Sequence, residues 1–254
     1  MNIVVPIKLV PDLVEELEVD ASGKDLDREW LKFKLNEFDD HALEEALLLK
    51  EAHGATVTAI ALDGDDIDKP LYAAAAKDVD KVVKVTGDFG GSLTSHKAAK
   101  ALANAIGTMG FDLVMTGVQA VDDRDGQVAV LLAHYLGVPH VSVVTAVEME
   151  GDKTIVQKEY AGGVVAEFEV SGKVVLGIQA ALETPRYVPV ARIRRAQRGT
   201  EIEEVAAGDV AVGNGSEVSR MFKPETVGGA QMLDGSPEDM VNKIVNILNE
   251  KGIK

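Results

Sequence analysis

The chain has 254 residues, of which 46% are hydrophobic and only 4% aromatic, and its formal net charge at pH 7 is −16. This length fits one large α/β domain with an aliphatic core, with or without an appendage. The strong negative charge disfavours DNA and RNA as partners, and the absence of cysteine excludes disulfides, thiolate metal sites and a cysteine nucleophile.

The first part of the chain alternates apolar runs with amphipathic stretches. The predicted strands cover residues 2–9, 56–62, 81–85, 112–116 and 140–147. The predicted helices cover residues 38–53, 67–77, 94–109 and 126–136. Because strands and helices alternate with short connections, we predict a doubly wound, mostly parallel sheet covered by helices on both faces.

The second part of the chain has a different pattern. Antiparallel strands with turns between them are predicted for residues 153–160, 164–170 and 173–179. After the basic residues 192–198, we predict an extended arm over residues 199–235. Ser236 begins a final amphipathic helix that packs either on its own domain or on a partner chain. We therefore divide the chain into a nucleotide-binding α/β domain, residues 1–198, and a C-terminal arm with a helix, residues 199–254.

A ligand of such a sheet is expected beyond the carboxyl ends of the first and fourth strands, where the winding reverses. The loops there are residues 8–12 and 117–127, and the second loop is long and precedes a helix. Helix N-termini bind phosphate, Gly126 permits close approach of the backbone, and Gln127 can donate a hydrogen bond. The acidic residues of this loop either cap the helix, hold the loop's arginine or bind ribose hydroxyls. Nucleotide binding and plain capping both stay open at this point, since neither G-x-G-x-x-G nor a P-loop is present.

Groups for catalysis are scarce in the sequence. The five histidines show no metal-binding spacing and no nucleophile is paired with a base, so we predict neither a metal site nor a catalytic residue. Glu44 and Glu45 are expected on the solvent side of a helix. Arg186 and the basic residues 192–198 form either a solvated face that balances nearby acids or a surface that contacts anions or partners. This pattern indicates a carrier or a regulator more than an enzyme.

Four segments of the chain, in this order, resemble one known family. They are IVVPIKLVPD (3–12), LNEFDDHALEEALLLKE (35–51), TGVQAVDDRDGQVAVLLAHYLGVPH (116–140) and KEYAGGVVAEFEVSGKVVLGIQAALETPRY (158–187). The chain therefore resembles the β (small) subunit of electron transfer flavoproteins over residues 1–200, and the last segment is the most specific. The C-terminal arm and helix agree with that family in kind rather than in residue.

The resemblance implies a heterodimer in which the α subunit holds most of the redox FAD and this chain forms one wall of that site. It also implies a nucleotide buried in this chain, which is AMP in most members and a second, NADH-oxidising FAD in electron-bifurcating members. The implied cofactor-binding residues are Pro6, Asn36, Glu37, Phe38, Asp39, Asp63, Asp122, Asp123, Arg124, Asp125, Gly126, Gln127, Val128, Ala129, Val130, Leu131, Leu132 and Ala133. Phe38 and Leu13 would lie beside the isoalloxazine ring of the partner's FAD.

The resemblance also implies transient partners, namely dehydrogenases and acceptor flavoproteins. Leu182 would be the apolar residue that docks on them, next to Pro185, Arg186 and Tyr187. The C-terminal arm and helix would pack on the α subunit.

Details of these segments favour AMP over FAD. Residues 37–40 (EFDD) resemble AMP-bearing members that serve amine dehydrogenases more than the N-P-[FY]-D form of bifurcating members. Arg124 and Asp125 stand where bifurcating chains often have G-T. We therefore predict an electron carrier with a structural AMP. The alternatives are a bifurcating flavoprotein with a second FAD and an adenine-nucleotide-binding regulatory homodimer.

The N-terminal run MNIVVPIKLV fits a buried first strand better than a signal peptide, because it lacks a basic n-region and a small-residue cleavage site. No apolar stretch approaches the ~20 residues needed to span a bilayer. We therefore expect a cytoplasmic protein without membrane insertion.

Overall fold

The computed structural model describes residues 1–89, 93–123, 125–212, 218–225, 228–230 and 232–253. The strands are β1 Asn2–Pro6, β2 Leu9–Pro11, β3 Phe33–Leu35, β4 Thr56–Leu62, β5 Lys81–Thr86, β6 Leu113–Gly117, β7 His140–Glu150, β8 Lys153–Tyr160, β9 Val164–Ser171, β10 Val174–Ile178 and β11 Glu203–Ala206. The helices are α1 Glu37–His53, α2 Asp68–Ala76, α3 Ser95–Met109, α4 Val128–Leu136, α5 Val190–Gly199 and α6 Pro237–Glu250. Within these ranges, no helix has the length and apolar character that a membrane crossing requires.

Nine strands form one sheet in the order β11-β5-β4-β1-β6-β10-β7-β8-β9. The strands from β11 to β7 in this order run parallel, and β8 and β9 add an antiparallel hairpin at one edge. Since β1 lies between β4 and β6, the chain winds from β1 to β5 in one direction and then reverses to β6. The predicted doubly wound, mostly parallel α/β sheet with an antiparallel addition is therefore confirmed. A separate antiparallel pair, β2 with β3, lies in the connection between β1 and α1.

The predicted pairing of residues 173–179 is wrong. We expected a third antiparallel strand after β9, but β10 lies between β6 and β7 and runs parallel to both. All five residues of β10 are buried. A continuous apolar strand is typical of a central parallel position with both faces covered, whereas the turn at Gly172 resembles that of a hairpin. The turn at Gly172 suggested pairing with β9, the strand just before it. The actual position of β10 depends on contacts with strands much earlier in the chain.

Apolar residues from alternate strand positions pack in two layers. Ile3 of β1 lies with Leu43 of α1 on one face, whereas its neighbour Val4 lies with Ile106 of α3 and Leu132 of α4 on the other. These side chains are fully or almost fully buried. The helices α1 and α2 therefore cover one face of the sheet, and α3 and α4 cover the other, as the reversal of winding requires.

The C-terminal part of the chain includes one strand and one helix. Glu203–Ala206 form β11, which pairs with β5 and extends the sheet by one edge strand, within the range predicted as an arm. The predicted final helix is confirmed as α6, where Ser236 and Asp239 form a capping box. Residues 213–217, 226–227 and 231 of the predicted arm lie outside the described residues. The division of the chain at residue 198 stays a prediction.

Candidate functional site

The candidate site is the crevice at the carboxyl ends of β1 and β6. The two strands are neighbours in the sheet, as predicted, and the direction of winding reverses between them. The loops after these strands and the first residues of α1 and α4 surround the crevice. In doubly wound sheets this is where ligands bind, because the loops from the two strands diverge and leave a gap.

Asn36 joins the two loops of the crevice. It is buried directly before α1, its Nδ2 donates to the main-chain oxygen of Gln119 at 2.9 Å, and its own N–H donates to the oxygen of Lys8 at 3.0 Å. One hydrogen of the Asn36 amide is therefore committed to the loop after β6. The side chain of Asn36 also hydrogen-bonds the Asp39 carboxyl, so its amide oxygen is the group left for an adenine edge.

Asp39, in the first turn of α1, accepts hydrogen bonds from the chain after β1 and from the end of β6. Its two carboxyl oxygens accept hydrogen bonds from the N–H groups of Lys8 at 3.0 Å and Gly117 at 3.2 Å. Burial raises the pKa of this carboxyl to about 7, against the lowering effect of a hydrogen bond from the Asn36 side chain, of these two N–H groups and of the Lys8 charge. Asp39 thus binds the ends of β1 and β6 together, and it belongs to the wall of the crevice.

Gly117 is required by this close approach. A Cβ atom at Gly117 would lie 2.5 Å from Oδ1 of Asp39 and 2.7 Å from Cβ of Phe38. Real Cβ atoms do not approach other heavy atoms this closely, so any side chain would push β6 away from α1. The glycine therefore allows the end of β6 to pack closely against the start of α1.

The acidic residues of the loop after β6 hold other parts of the site. Asp122 forms an ion pair with Lys8 at 2.8 Å, which connects the two loops across the mouth of the crevice. Asp123 accepts hydrogen bonds from Ser95 Oγ at 2.7 Å and from the N–H of Asp125 at 3.2 Å. Arg124 lies outside the described residues, so its predicted contact has no structural description.

The N-terminus of α4 is open. The N-cap residue Gln127 makes no side-chain capping hydrogen bond, and the first N–H bonded within the helix is that of Leu131, which donates to Gln127 O at 3.0 Å. The N–H groups of residues 128–130 therefore have no partner within the helix, and they stand at the positive end of its dipole. Among the described residues of this loop, no carboxylate hydrogen-bonds to these N–H groups. The arrangement can accept an anion such as a phosphate.

Gly126 shapes the turn that leads into α4. Its φ is +63°, and a Cβ atom there would lie 2.9 Å from the main-chain oxygen of Val118. Both the left-handed backbone and the lack of space require glycine. The turn thereby brings the first N–H groups of α4 to the end of β6.

The other predicted cofactor residues have mixed positions. Ala129, Leu132 and Ala133 of α4 are buried in the core, so their side chains are not available to a ligand. Pro6 is buried at the end of β1, and Asp63 follows β4 and accepts a hydrogen bond from Gly64 N–H at 2.9 Å. The remaining members are partly buried (Phe38, Val128, Leu131) or exposed (Leu13, Glu37, Val130).

Leu182 lies in the loop that follows β10, and its side chain is 71% exposed. The loop itself is firmly held by α1. The N–H of Leu182 donates to Glu45 Oε2 at 2.9 Å, the N–H of Ala181 donates to His41 Nδ1 at 3.2 Å, and Glu45 Oε1 accepts from Val147 N–H at 3.0 Å. An exposed leucine on a fixed loop is suited to a small docking contact.

Arg186 fixes the far end of the same loop. Its guanidinium donates to Glu44 at 2.7 Å and to Glu51 at 2.7 Å, and its N–H donates to Glu44 at 2.9 Å. Tyr187, the next residue, is 84% exposed. The loop therefore presents Leu182 and Tyr187 outward from a backbone bound to α1.

The expected solvent exposure of Glu44 and Glu45 is wrong, because the two residues are 3% and 2% exposed. Burial raises the pKa of Glu45. Burial also opposes ionisation of Glu44, but hydrogen bonds and charge from Arg186 outweigh it and lower the pKa of that carboxyl. Helical spacing placed these residues beside the apolar face, and only the loop that covers them explains their burial.

Sequence reasoning missed several residues that build this site. Lys8 and Gln119 lie in the two loops that were already expected at the crevice, so their part in the site could have been predicted from the sequence. Ser95 and His41 carry no local signal, since their partners are distant in the chain. Thr116, buried at the end of β6, was also missed.

Comparison with known proteins agrees with these observations. A sequence model of the family described as "Electron transfer flavoprotein domain" matches residues 26–210, which include most of the crevice and the Leu182 loop. "Electron transfer flavoprotein subunit beta" of Methylophilus methylotrophus is 32% identical over 262 aligned positions, covering 98% of each chain. The proteins with the same name from Thermoanaerobacterium thermosaccharolyticum and Clostridium acetobutylicum are 32% and 31% identical, covering 100% and 99% of each chain. The chain therefore belongs to the electron transfer flavoprotein family, in which it is a beta-subunit member.

Proposed function

We propose that this chain pairs with an α subunit in a heterodimeric electron transfer flavoprotein and binds a structural AMP in the crevice between β1 and β6. The heterodimer carries electrons from dehydrogenases to acceptor flavoproteins through an FAD held mainly by the α subunit. The open N-terminus of α4, behind a turn that only glycine fits, is the observation that carries the AMP assignment. That the heterodimer transfers electrons is inferred from the family to which the chain belongs.

The groups around the crevice fit an adenine nucleotide. The N–H groups of residues 128–130 and the close approach at Gly126 suit the phosphate. The Lys8–Asp122 pair offers a donor and acceptors to ribose hydroxyls, and the amide oxygen of Asn36 can accept a hydrogen bond from the adenine amino group. Each part of the nucleotide has a matching partner among these residues.

The FAD of the heterodimer would supply the redox chemistry, and this chain would exclude water from one side of it. Leu13 is 57% exposed and Phe38 is partly exposed at the start of α1, so both side chains are available to a partner surface. Electrons enter and leave through partner proteins. The exposed Leu182 on its fixed loop is the contact that we assign to those partners.

AMP is preferred to a second FAD because residues 37–40 and the loop after β6 resemble AMP-bearing members. The bifurcating flavoprotein therefore stays the alternative within the family. A regulatory homodimer is not proposed, since membership of the family favours a carrier with an α subunit. Location in the cytoplasm stays a prediction.

One experiment tests the proposal directly. The chain is co-expressed with its α subunit, and the purified complex is denatured so that the released nucleotides can be separated and quantified. One FAD and one AMP per heterodimer are expected. Two FAD without AMP would instead support the bifurcating alternative. A complex with one FAD and no second nucleotide would contradict the crevice assignment.

A further inference from the structure

Thr116 is a buried residue with an unused polar group. It is 3% exposed, and its Oγ1 has no hydrogen-bond partner within the part of the chain that the structure describes. A buried hydroxyl without a partner lowers the stability of the fold. Buried polar groups are nearly always paired in folded proteins, so this hydroxyl is available to a partner outside the described residues.

The side chain of Thr116 lies on the α4 side of the sheet. Successive strand residues point to opposite faces, and in β6 Met115 packs in the layer under α1 whereas Val114 packs in the layer under α3 and α4. Thr116 follows Val114 by two residues and shares its face. The next residue, Gly117, lies against Asp39 and Phe38 on the α1 side, which agrees with this alternation.

The same face carries the open N-terminus of α4. Ala129 and Leu132 belong to the same buried layer as Val114, and α4 begins after the loop that leaves the carboxyl end of β6, so the N-terminus of α4 lies at the end of the sheet where Thr116 stands. Two kinds of donor therefore lie at this end of the same face, the N–H groups of residues 128–130, which have no partner within α4, and the hydroxyl of Thr116. A group of donors without acceptors is suited to an anion.

We propose that Thr116 Oγ1 donates a hydrogen bond to the phosphate of the bound adenine nucleotide, beside the N–H groups of α4. This inference rests on the proposed function, and it adds a ligand from the sheet to those from the loop. AMP and the adenylate half of FAD share this phosphate. The role of Thr116 is therefore the same for either nucleotide.

The test uses two variants in the full heterodimer with the α subunit. Thr116→Val keeps the shape of the side chain and removes the hydroxyl, and Thr116→Ser keeps the hydroxyl as the matched control. AMP is titrated into the nucleotide-depleted complex by calorimetry. Because hydrogen bonds to charged groups are strong, Thr116→Val should raise the Kd for AMP by about 10- to 100-fold. The Kd of Thr116→Ser should stay within about threefold of the wild-type value.

A second readout separates a ligand role from a structural one. In the nucleotide-depleted complex the Tm of Thr116→Val should equal or exceed that of the wild type, since the valine removes an unsatisfied hydroxyl. A lowered Tm there would mean that Thr116 is bonded within the protein, and it would overturn the inference. An unchanged Kd for AMP in Thr116→Val would overturn it as well. If the wild-type complex binds neither AMP nor FAD in the crevice, that result would contradict the proposed function itself.

Discussion

Arg186 and Glu44 form an ion pair with two guanidinium donors, which connects the loop after β10 to the helix α1, 142 residues earlier in the chain. The Nη2–Oε1 distance is 2.7 Å, and the carboxylate is almost fully buried beneath the loop. The same helix borders the crevice at its N-terminus through Asn36 and Asp39. The helix α1 thus contacts both the candidate crevice and the loop that presents Leu182.

Loss of the Arg186 guanidinium should release the loop that follows β10. Arg186→Gln leaves the Glu44 carboxylate buried without its cation, and breaking a buried pair in this way costs roughly 3 kcal/mol. We expect faster hydrogen exchange over residues 180–188, measured by mass spectrometry. Exchange in the central strands β1 and β6 should change less, because the loop opens locally.

The matched control for this change is Arg192→Gln. Arg192 pairs with Asp78 on the exposed surface, where ion pairs contribute about 0–1 kcal/mol. This variant should leave the exchange of residues 180–188 as in the wild type. Equal acceleration in both variants would show that the loop does not depend on the Arg186–Glu44 pair.

The glycines at the two ends of α4 should respond differently to alanine. Gly126 and Gly137 both have positive φ, +63° and +68°, so an alanine costs about 1–2 kcal/mol of backbone strain at either position. Only at Gly126 would the new Cβ meet a neighbour, Val118 O at 2.9 Å, whereas nothing lies within 4 Å of the position at Gly137. Gly126→Ala should therefore displace the turn and lose AMP from the purified heterodimer. Gly137→Ala should retain AMP, and equal nucleotide contents in the two variants would count against the anion site at α4.

Asp39 should give the folded chain a pH dependence of its own. Its pKa is raised from 3.8 to about 7 by burial. Below about pH 4 the carboxyl is protonated in both the folded and the unfolded state, whereas between about pH 4 and 7 the unfolded state releases the proton first. The free energy of unfolding should therefore fall as the pH rises through this window. The largest expected change is about 4 kcal/mol, at 1.36 kcal/mol per pH unit.

Urea unfolding of the full chain and of Asp39→Asn measures this contribution. The wild type should lose stability relative to the variant between about pH 4 and about pH 7, because asparagine does not titrate. Glu45, whose pKa burial also raises, is present in both proteins and cancels in the comparison. A constant difference between the two proteins across this range would show that Asp39 does not titrate there.

The side chain of Leu182 should affect docking and nothing else. Since it is 71% exposed, Leu182→Ala should leave the Tm and the nucleotide content of the heterodimer unchanged. With a dehydrogenase that reduces the wild-type complex, we expect KM for the complex to rise roughly tenfold at an unchanged kcat. Leu182→Met keeps the apolar contact and should behave as the wild type. A wild-type KM for Leu182→Ala would remove this residue from the docking surface.

Local patterns in the sequence were enough to predict most of the fold. Helix ends depend on a few neighbouring residues, and Gly54, Gly137 and Ser236 mark them where the structure has them. Alternating strands and helices imply a parallel sheet with one reversal of winding. The position of the crevice between β1 and β6 followed from that reversal alone.

Features that depend on distant contacts were not predictable in this way. The insertion of β10 between β6 and β7 resembled a local hairpin, although its pairing involves strands far back in the chain. The burial of Glu44 and Glu45 requires loop residues 137 and 142 positions away. The partners of Asp122 and Asp123 likewise come from other elements. A periodic pattern records which face of an element is apolar, and the identity of its neighbour depends on how the whole chain is wound.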